Sequence, residues 1–123
     1  IPDSVMDIGA YSFGSCDSLT TITIPDSVTS IGNGAFNLTN LKKIYWNARN
    51  VEFWGYDVFF LNGDVELVIG QAVEVYPEPL SQFITTLTID EGVTSIGNFA
   101  FESSNLSSIA IPNGVKNIGF SLT

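Results

Sequence analysis

The sequence predicts a solenoid of the α/β class, rich in short β-strands and built from stacked repeats of 20–23 residues. The segment Ile1–Val5 recurs unchanged as Ile24–Val28. A valine followed three residues later by an apolar residue, and then by Gly or Pro, occurs six times, and in four cases a phenylalanine stands eight residues after the valine. The valines are Val5, Val28, Val51, Val73, Val93 and Val115, and the phenylalanines are Phe13, Phe36, Phe59 and Phe101. Self-similarity at a nearly fixed period is the signature of a repeat architecture.

The repeat frame runs through the whole chain. Counted from the residue before the Pro turn, the repeats start at Ile1, Ile24, Trp46, Ile69, Ile89 and Ile111, and the last one is truncated. The middle third keeps the same frame, which makes it a diverged repeat rather than a second domain. Because 123 residues are too few for two separate cores, we predict one solenoid domain over residues 1–123.

Each repeat is predicted to contain a strand, a turn and a segment that leads back towards the next strand. We call the side of the solenoid formed by these last segments, residues 28–36 in repeat two, the return side. Leu19–Ile24 ends in alternating Thr and Ile, which is typical of a short strand. Pro25–Ser27 supplies a turn, and Gly32 permits a backbone bend. Ala35 and Phe36 suggest a short helical turn that sends the phenylalanine ring inward. We therefore expect short parallel strands on one side and turns with short helical or 3₁₀ segments on the other.

Charge and residue types exclude several classes of function. Thirteen acidic residues stand against four basic ones, and a net charge of −9 argues against a nucleic-acid partner. No apolar run approaches the length of about 18 residues that a membrane-spanning helix needs, so membrane insertion is not expected. Histidine is absent and Cys16 is the single cysteine, which removes internal disulfides, Cys/His zinc sites and histidine-dependent triads. Cys16 is expected to pack as a small hydrophobic residue.

These absences predict a protein that is not an enzyme and has no cofactor, metal or catalytic residues. The acidic residues that could be considered as calcium ligands lack the spacing of an EF-hand loop; they are Asp64, Glu66, Asp90 and Glu91. A hydrolase with paired carboxylates stays open, because any two acids could converge in a fold. Nothing in the repeat requires it.

The residues of repeat two resemble a known family. Ile24–Phe36, read with the Leu-x-x-Ile-x-Ile-Pro pattern that begins at Leu19, is similar to the BspA-like, or Treponema-type, leucine-rich repeats. Cys16, three residues before Leu19, resembles the cysteine of that family's loop. The resemblance is strong in residues 1–46 and 89–118 and weaker between them. It implies a leucine-rich-repeat solenoid in a surface-exposed or secreted protein, associated with adhesion to host components, and it implies no catalytic residues.

The resemblance also implies where a partner would bind. In leucine-rich repeats the strands form the concave face, and their outward side chains contact the partner. That outward set is Thr21, Thr23, Lys43, Tyr45, Glu66, Val68, Thr86, Thr88, Ser108 and Ala110, and Asn47 and Asp90 could extend it. Tyr45 beside Lys43 is the best candidate for an anchor, because tyrosine combines apolar area with a polar tip. Threonine on a solvated strand also has a purely structural explanation in its β-propensity.

Six aromatic residues crowd into residues 46–60, where an aromatic platform for sugar or protein competes with a role in the core. Trp46, Trp54 and Phe59 fall on inward positions of the repeat, and we expect most of the cluster to be core. Phe53, Tyr56 and Phe60 do not, so an exposed member is expected among them.

Two hypotheses follow from the sequence. One is a binding or display module for a host or cell-surface protein. The other is a structural spacer that associates with itself through the apolar ends of the solenoid. Asn37 and Asn105 stand in glycosylation sequons, which matter only in a eukaryotic protein.

Overall fold

The computed structural model describes residues 1–93, 95–96 and 106–118, and these residues form short strands joined by turns. In chain order the strands are β1 (Asp7–Ile8), β2 (Thr21–Ile24), β3 (Ser30–Ile31), β4 (Phe36–Asn37), β5 (Lys43–Trp46), β6 (Phe53–Trp54), β7 (Phe59–Phe60), β8 (Glu66–Ile69), β9 (Thr86–Ile89), β10 (Ser95–Ile96), β11 (Ser108–Ala110) and β12 (Asn117–Ile118).

The largest sheet contains five parallel strands in the order β11-β9-β8-β5-β2, so each repeat adds one strand beside its neighbour. The register of this sheet follows the spacing of the repeats. The predicted repeat starts Ile24, Trp46, Ile69 and Ile89 are consecutive register partners across four strands. The diverged middle third therefore continues the stack without a shift in this sheet.

The return side consists of smaller parallel sheets rather than helices. One has the strand order β1-β3-β6, and the pairs β4-β7 and β10-β12 form two more. Within the described ranges the single helical segment is a 3₁₀ helix, Glu78–Leu80. The expected α/β class and the helical return side are therefore not confirmed: the fold is a β-rich parallel-strand solenoid.

The difference has a physical reason at Phe36. We expected a helical turn there, but Phe36 lies in β4 and pairs with Phe59 of the next repeat. Its N–H group donates to the carbonyl of Val58 at 2.8 Å. A neighbouring repeat supplies the hydrogen bond that an isolated helical turn would have to make within itself, and the extended conformation is stabilised as a result.

The core lies between the five-stranded sheet and the return side. Ile22, Ile44, Leu67 and Leu87 are register partners and form a buried row under the larger sheet. On the return side the rings of Phe13, Phe36 and Phe59 stack nearly parallel, with centroid separations of 5.1 and 5.2 Å. The fourth phenylalanine of this pattern, Phe101, lies outside the described residues.

Glycine allows the backbones of successive repeats to touch at the corner of the return side. A Cβ at Gly32 would lie 2.7 Å from the backbone nitrogen of Ala10, and one at Gly55 would fall against the backbone nitrogen of Asn33. A side chain at either position would push two repeats apart. Close approach therefore explains the Gly of the sequence pattern at positions 32 and 55.

Candidate binding face

The ten residues predicted to bind share one side of the five-stranded sheet, because alternate residues of a strand point to the same face. We call this surface the strand face. Register pairing arranges its members in two rows across the strands. The first row is Thr21, Lys43, Glu66, Thr86 and Ser108, and the second is Thr23, Tyr45, Val68, Thr88 and Ala110. All ten are half-buried or exposed, whereas the residues between them in β2, β5, β8 and β9 are buried.

Polar contacts fix the centre of the strand face. The Lys43 Nζ atom lies 3.6 Å from Glu66 Oε1. The Thr88 hydroxyl donates to Glu66 Oε2 at 2.8 Å. Lys43 Nζ also lies 5.1 Å from the centroid of the Tyr45 ring, a geometry that permits a cation–π interaction. The predicted Lys43–Tyr45 pair is thus extended to Glu66 and Thr88, which sequence reasoning placed on the face but did not connect.

The electrostatics of this centre keep Lys43 charged. Its interaction with the Tyr45 side chain, followed by the negative charge of Glu66, raises the pKa of Lys43 above 10.5. A lysine amine acts as a base or nucleophile near neutral pH only when its pKa is lowered. Lys43 is therefore suited to holding a charge for recognition rather than to proton transfer.

A polar groove borders the strand face at the carboxyl ends of the strands. It has a volume of about 350 Å³ and includes Asn47 and Asp90, the two residues expected to extend the face. Asp3, Asp26 and Gln71 also line it. Within the described ranges, no three acidic or cysteine side chains converge in a way that could hold a metal ion.

The aromatic cluster of repeat three divides between core and surface. Trp46 and Phe59 are buried as expected, and Trp54 is half-buried with its ring stacked on that of Trp46 at 5.7 Å. Phe53, Tyr56 and Phe60 are all exposed. We expected an exposed member among these three, and the structure exposes every one.

Two other positions clarify the sequence expectations. Cys16 is exposed, so the expectation that it packs as a hydrophobic residue is wrong; it lies in the loop after Phe13, where its side chain faces solvent. In the sequon of Asn37, the Thr39 side chain is buried and its hydroxyl donates to the carbonyl of Phe36 at 3.1 Å. Asn105 lies outside the described residues.

An apolar cavity of about 630 Å³ opens at repeat one, residues 1–23. The residues that line it include Ile1, Val5, Ile8, Phe13, Leu19 and Ile22. At the far end of the described stack, Ile109 and Ile111 are also exposed, although their repeat positions point inward. Both ends of the described stack therefore present core-type side chains.

Comparisons with known proteins agree with the repeat frame. A family model described as a BspA type leucine-rich repeat region matches in six copies over residues 1–72 and 80–122. The unmatched residues 73–79 precede and enter the 3₁₀ helix, where Tyr76 and Pro77 replace the usual Ile-Gly pair. No curated protein and no solved structure gives a significant match. Among the described residues, no helix is long and apolar enough to cross a membrane.

Proposed function

The chain belongs to the BspA-type leucine-rich repeat family, and from that premise we propose that it is a non-catalytic module that binds a protein partner on its strand face. Leucine-rich repeats commonly mediate protein–protein interactions. We propose further that residues 1–123 act as one domain, displayed outside the cell or on its surface, and that the partner is a host or cell-surface protein. Adhesion is the biological role that suits such a module best.

The centre of the strand face is the observation that carries this proposal. Interfaces gain most of their affinity from a few anchored residues, among which tyrosine and arginine are common. Tyr45 is half-buried, so part of its ring is available while Lys43 fixes its position from one side. The carboxylate of Glu66 is already bonded on both oxygens. A partner therefore meets groups that lose little side-chain freedom on binding.

The surroundings of this centre suit a protein surface better than a small substrate. The two rows consist mostly of small side chains, which leave room for a broad partner. A small-molecule site is typically a concave pocket that covers most of its ligand, whereas this face is an open sheet. The absence of histidine from the sequence and the raised pKa of Lys43 support a role without catalysis or cofactor.

Binding can be tested with purified extracellular-matrix and cell-surface proteins immobilised on a sensor chip. We expect the wild-type chain to bind at least one of them, and Tyr45→Ala to weaken that binding about tenfold or more. Tyr11→Ala is the matched control, because Tyr11 is an exposed tyrosine outside the strand face. Equal losses for the two variants, or no binding to any protein of the panel, would remove the support for the strand face.

Self-association is a second candidate, favoured by the apolar cavity at repeat one. Inside the stack, each repeat covers the corresponding apolar surface of its neighbour, so a second copy of the chain could cover the cavity in the same way. Light scattering should then give a mass that rises with concentration, and Leu19→Glu should restore the monomer. A wild-type mass that stays monomeric at all concentrations excludes this role.

A further inference from the structure

We propose that the return side of repeat three is a second interaction surface, which takes a protein segment containing lysine or arginine. The centre of this surface consists of three exposed aromatic side chains, Phe53, Tyr56 and Phe60, which we call the aromatic ridge. This surface is distinct from the strand face in position and in chemistry. The proposal therefore goes beyond the function proposed above and does not depend on it.

The preceding repeat shows that the fold does not need these rings. Ser30 of repeat two is the register partner of Phe53, and Asn37 is the register partner of Phe60. The N–H group of Tyr56 donates to the side-chain oxygen of Asn33 at 2.7 Å, which places Tyr56 beside Asn33. Repeat two thus builds the same wall from one serine and two asparagines. Folding accounts for the inward residues of repeat three but not for its outward aromatic ones.

The outward and inward aromatic residues of repeat three have different surroundings. Phe59 packs in the ring stack of the core, and Trp54 stacks on Trp46. The ridge side chains remain 60%, 82% and 50% exposed at Phe53, Tyr56 and Phe60. An aromatic side chain offers about 150–250 Å² of area, so the ridge exposes on the order of 300–400 Å². Large apolar side chains that are exposed on one side of a monomer often mark an interaction site.

Phe60 extends the ridge towards the next repeat. Its ring meets the half-buried ring of Phe83 edge-on, with the centroids 6.4 Å apart. This contact orients Phe60 while leaving half of it in solvent. Aromatic residues held in this way lose little conformational entropy when a partner covers them.

The negative charge around the aromatic ridge indicates a partner with positively charged side chains. The ridge segment carries the exposed acids Glu52 and Asp57, and residues 50–115 contain no lysine or arginine. Of the preceding bases, Arg49 pairs with Glu74 at 3.4 Å, and Lys42 donates to the carbonyl of Asn62 at 2.7 Å. A cation over the face of an aromatic ring is attracted to it, and the neighbouring carboxylates add to that attraction. Lysine and arginine side chains of a partner satisfy both the rings and the acids.

The test uses a phage-displayed library of random short peptides, selected on the wild-type chain. The reference is the triple variant Phe53→Ser, Tyr56→Asn and Phe60→Asn, which gives repeat three the return-side residues of repeat two. We expect the selected peptides to be enriched in lysine and arginine, and to bind the triple variant about tenfold or more weakly. Glu52→Gln with Asp57→Asn should weaken binding several-fold, as should ionic strength well above about 0.15 M.

Controls keep the result interpretable. Circular dichroism checks that the triple variant is folded, and Tyr56→Asn alone gives a second readout at the most exposed ring. Tyr45→Ala should leave peptide binding unchanged, which separates the ridge from the strand face. Peptides without basic enrichment, peptides that bind wild type and triple variant equally, or a failure to select any ridge-dependent peptide would overturn the proposal. So would a wild-type dimer that the triple variant converts to a monomer, because the ridge would then be covered by a second copy.

Discussion

The two sides of this solenoid are built by different means. On the strand side, four-residue strands pair without interruption from β2 to β9, so the backbone sets where every outward side chain stands. On the return side the strands contain only two residues and form separate small sheets. Packing of inward rings holds that side together instead. Backbone pairing therefore fixes the strand face, whereas the outer surface of the return side is free to vary between repeats.

The largest effect is expected where the return side depends on its ring stack. Phe36 is fully buried between two other rings, and Phe36→Ala should lower the free energy of unfolding by about 3–5 kcal/mol. Phe13→Ala should cost clearly less, because Phe13 is half-buried and stacks on a single ring among the described residues. Urea unfolding followed by tryptophan fluorescence measures both. Equal losses would mean that the stack does not carry the return side.

The next effect concerns the corner where backbones of successive repeats touch. Gly55→Ala would place a methyl group against the backbone of Asn33, and we expect a loss of about 1–3 kcal/mol in the free energy of unfolding. Gly9→Ala is the matched control, because its Cβ would meet only the Ser12 hydroxyl, at 3.2 Å. That hydroxyl is exposed, and by moving it would lose no more than its hydrogen bond to the Gly9 carbonyl. Thermal unfolding should place Gly9→Ala near wild type and Gly55→Ala well below it.

Alkaline titration tests how stability depends on buried Tyr76 and on Lys43 of the strand face. Burial raises the pKa of Tyr76 to about 12 from its usual 10.0, so the folded state resists its ionisation. Stability linked to Tyr76 is complete below pH 10.0 and declines as the pH rises towards about 12. Lys43, also with a raised pKa, loses its contribution only above 10.5. Absorbance of the phenolate should show an ionisation step near pH 12 that is lost in Tyr76→Phe, and Tyr76→Phe should flatten the decline. A decline that is unchanged in Tyr76→Phe contradicts this assignment.

The smallest effect is expected on the strand face itself. Thr88→Val removes the hydrogen bond to Glu66 but keeps a β-branched side chain, and it should lower the free energy of unfolding by about 1 kcal/mol or less. Thr86→Val is the control in the same strand, since the Thr86 hydroxyl makes no hydrogen bond in the described structure. Differential scanning calorimetry should show a lower melting temperature for Thr88→Val than for Thr86→Val. A large loss in Thr88→Val would show that the strand side also depends on side-chain contacts.

The same contrast explains what sequence could predict. The repeat frame identifies Ile24, Trp46, Ile69 and Ile89 as equivalent, and parallel pairing turns that equivalence into register. All ten residues of the strand face follow from this register and from strand alternation. Sequence pattern was sufficient here because one periodicity fixes both the pairing and the orientation.

The return side could not be predicted in the same way. Phe36 forms a strand because the next repeat supplies hydrogen bonds, a contact that local propensity does not contain. The contacts of Glu66 with Lys43 and Thr88 depend on side-chain rotamers across three strands. The sequence shows that Ser30 and Phe53 occupy equivalent positions in repeats two and three. The structure was needed to show that both residues face outward.

Site-specific photo-crosslinking can show whether the protein partner lies on the strand face. A photoreactive amino acid at Thr86 samples the strand face, and the same group at Asp7 samples the outward row of the return side. The partner in this experiment is a protein of the panel that binds the wild-type chain. We predict that it forms crosslinks with the group at Thr86 and none with the group at Asp7. Crosslinks from Asp7 without any from Thr86 would place the partner on the return side and rule out the strand face.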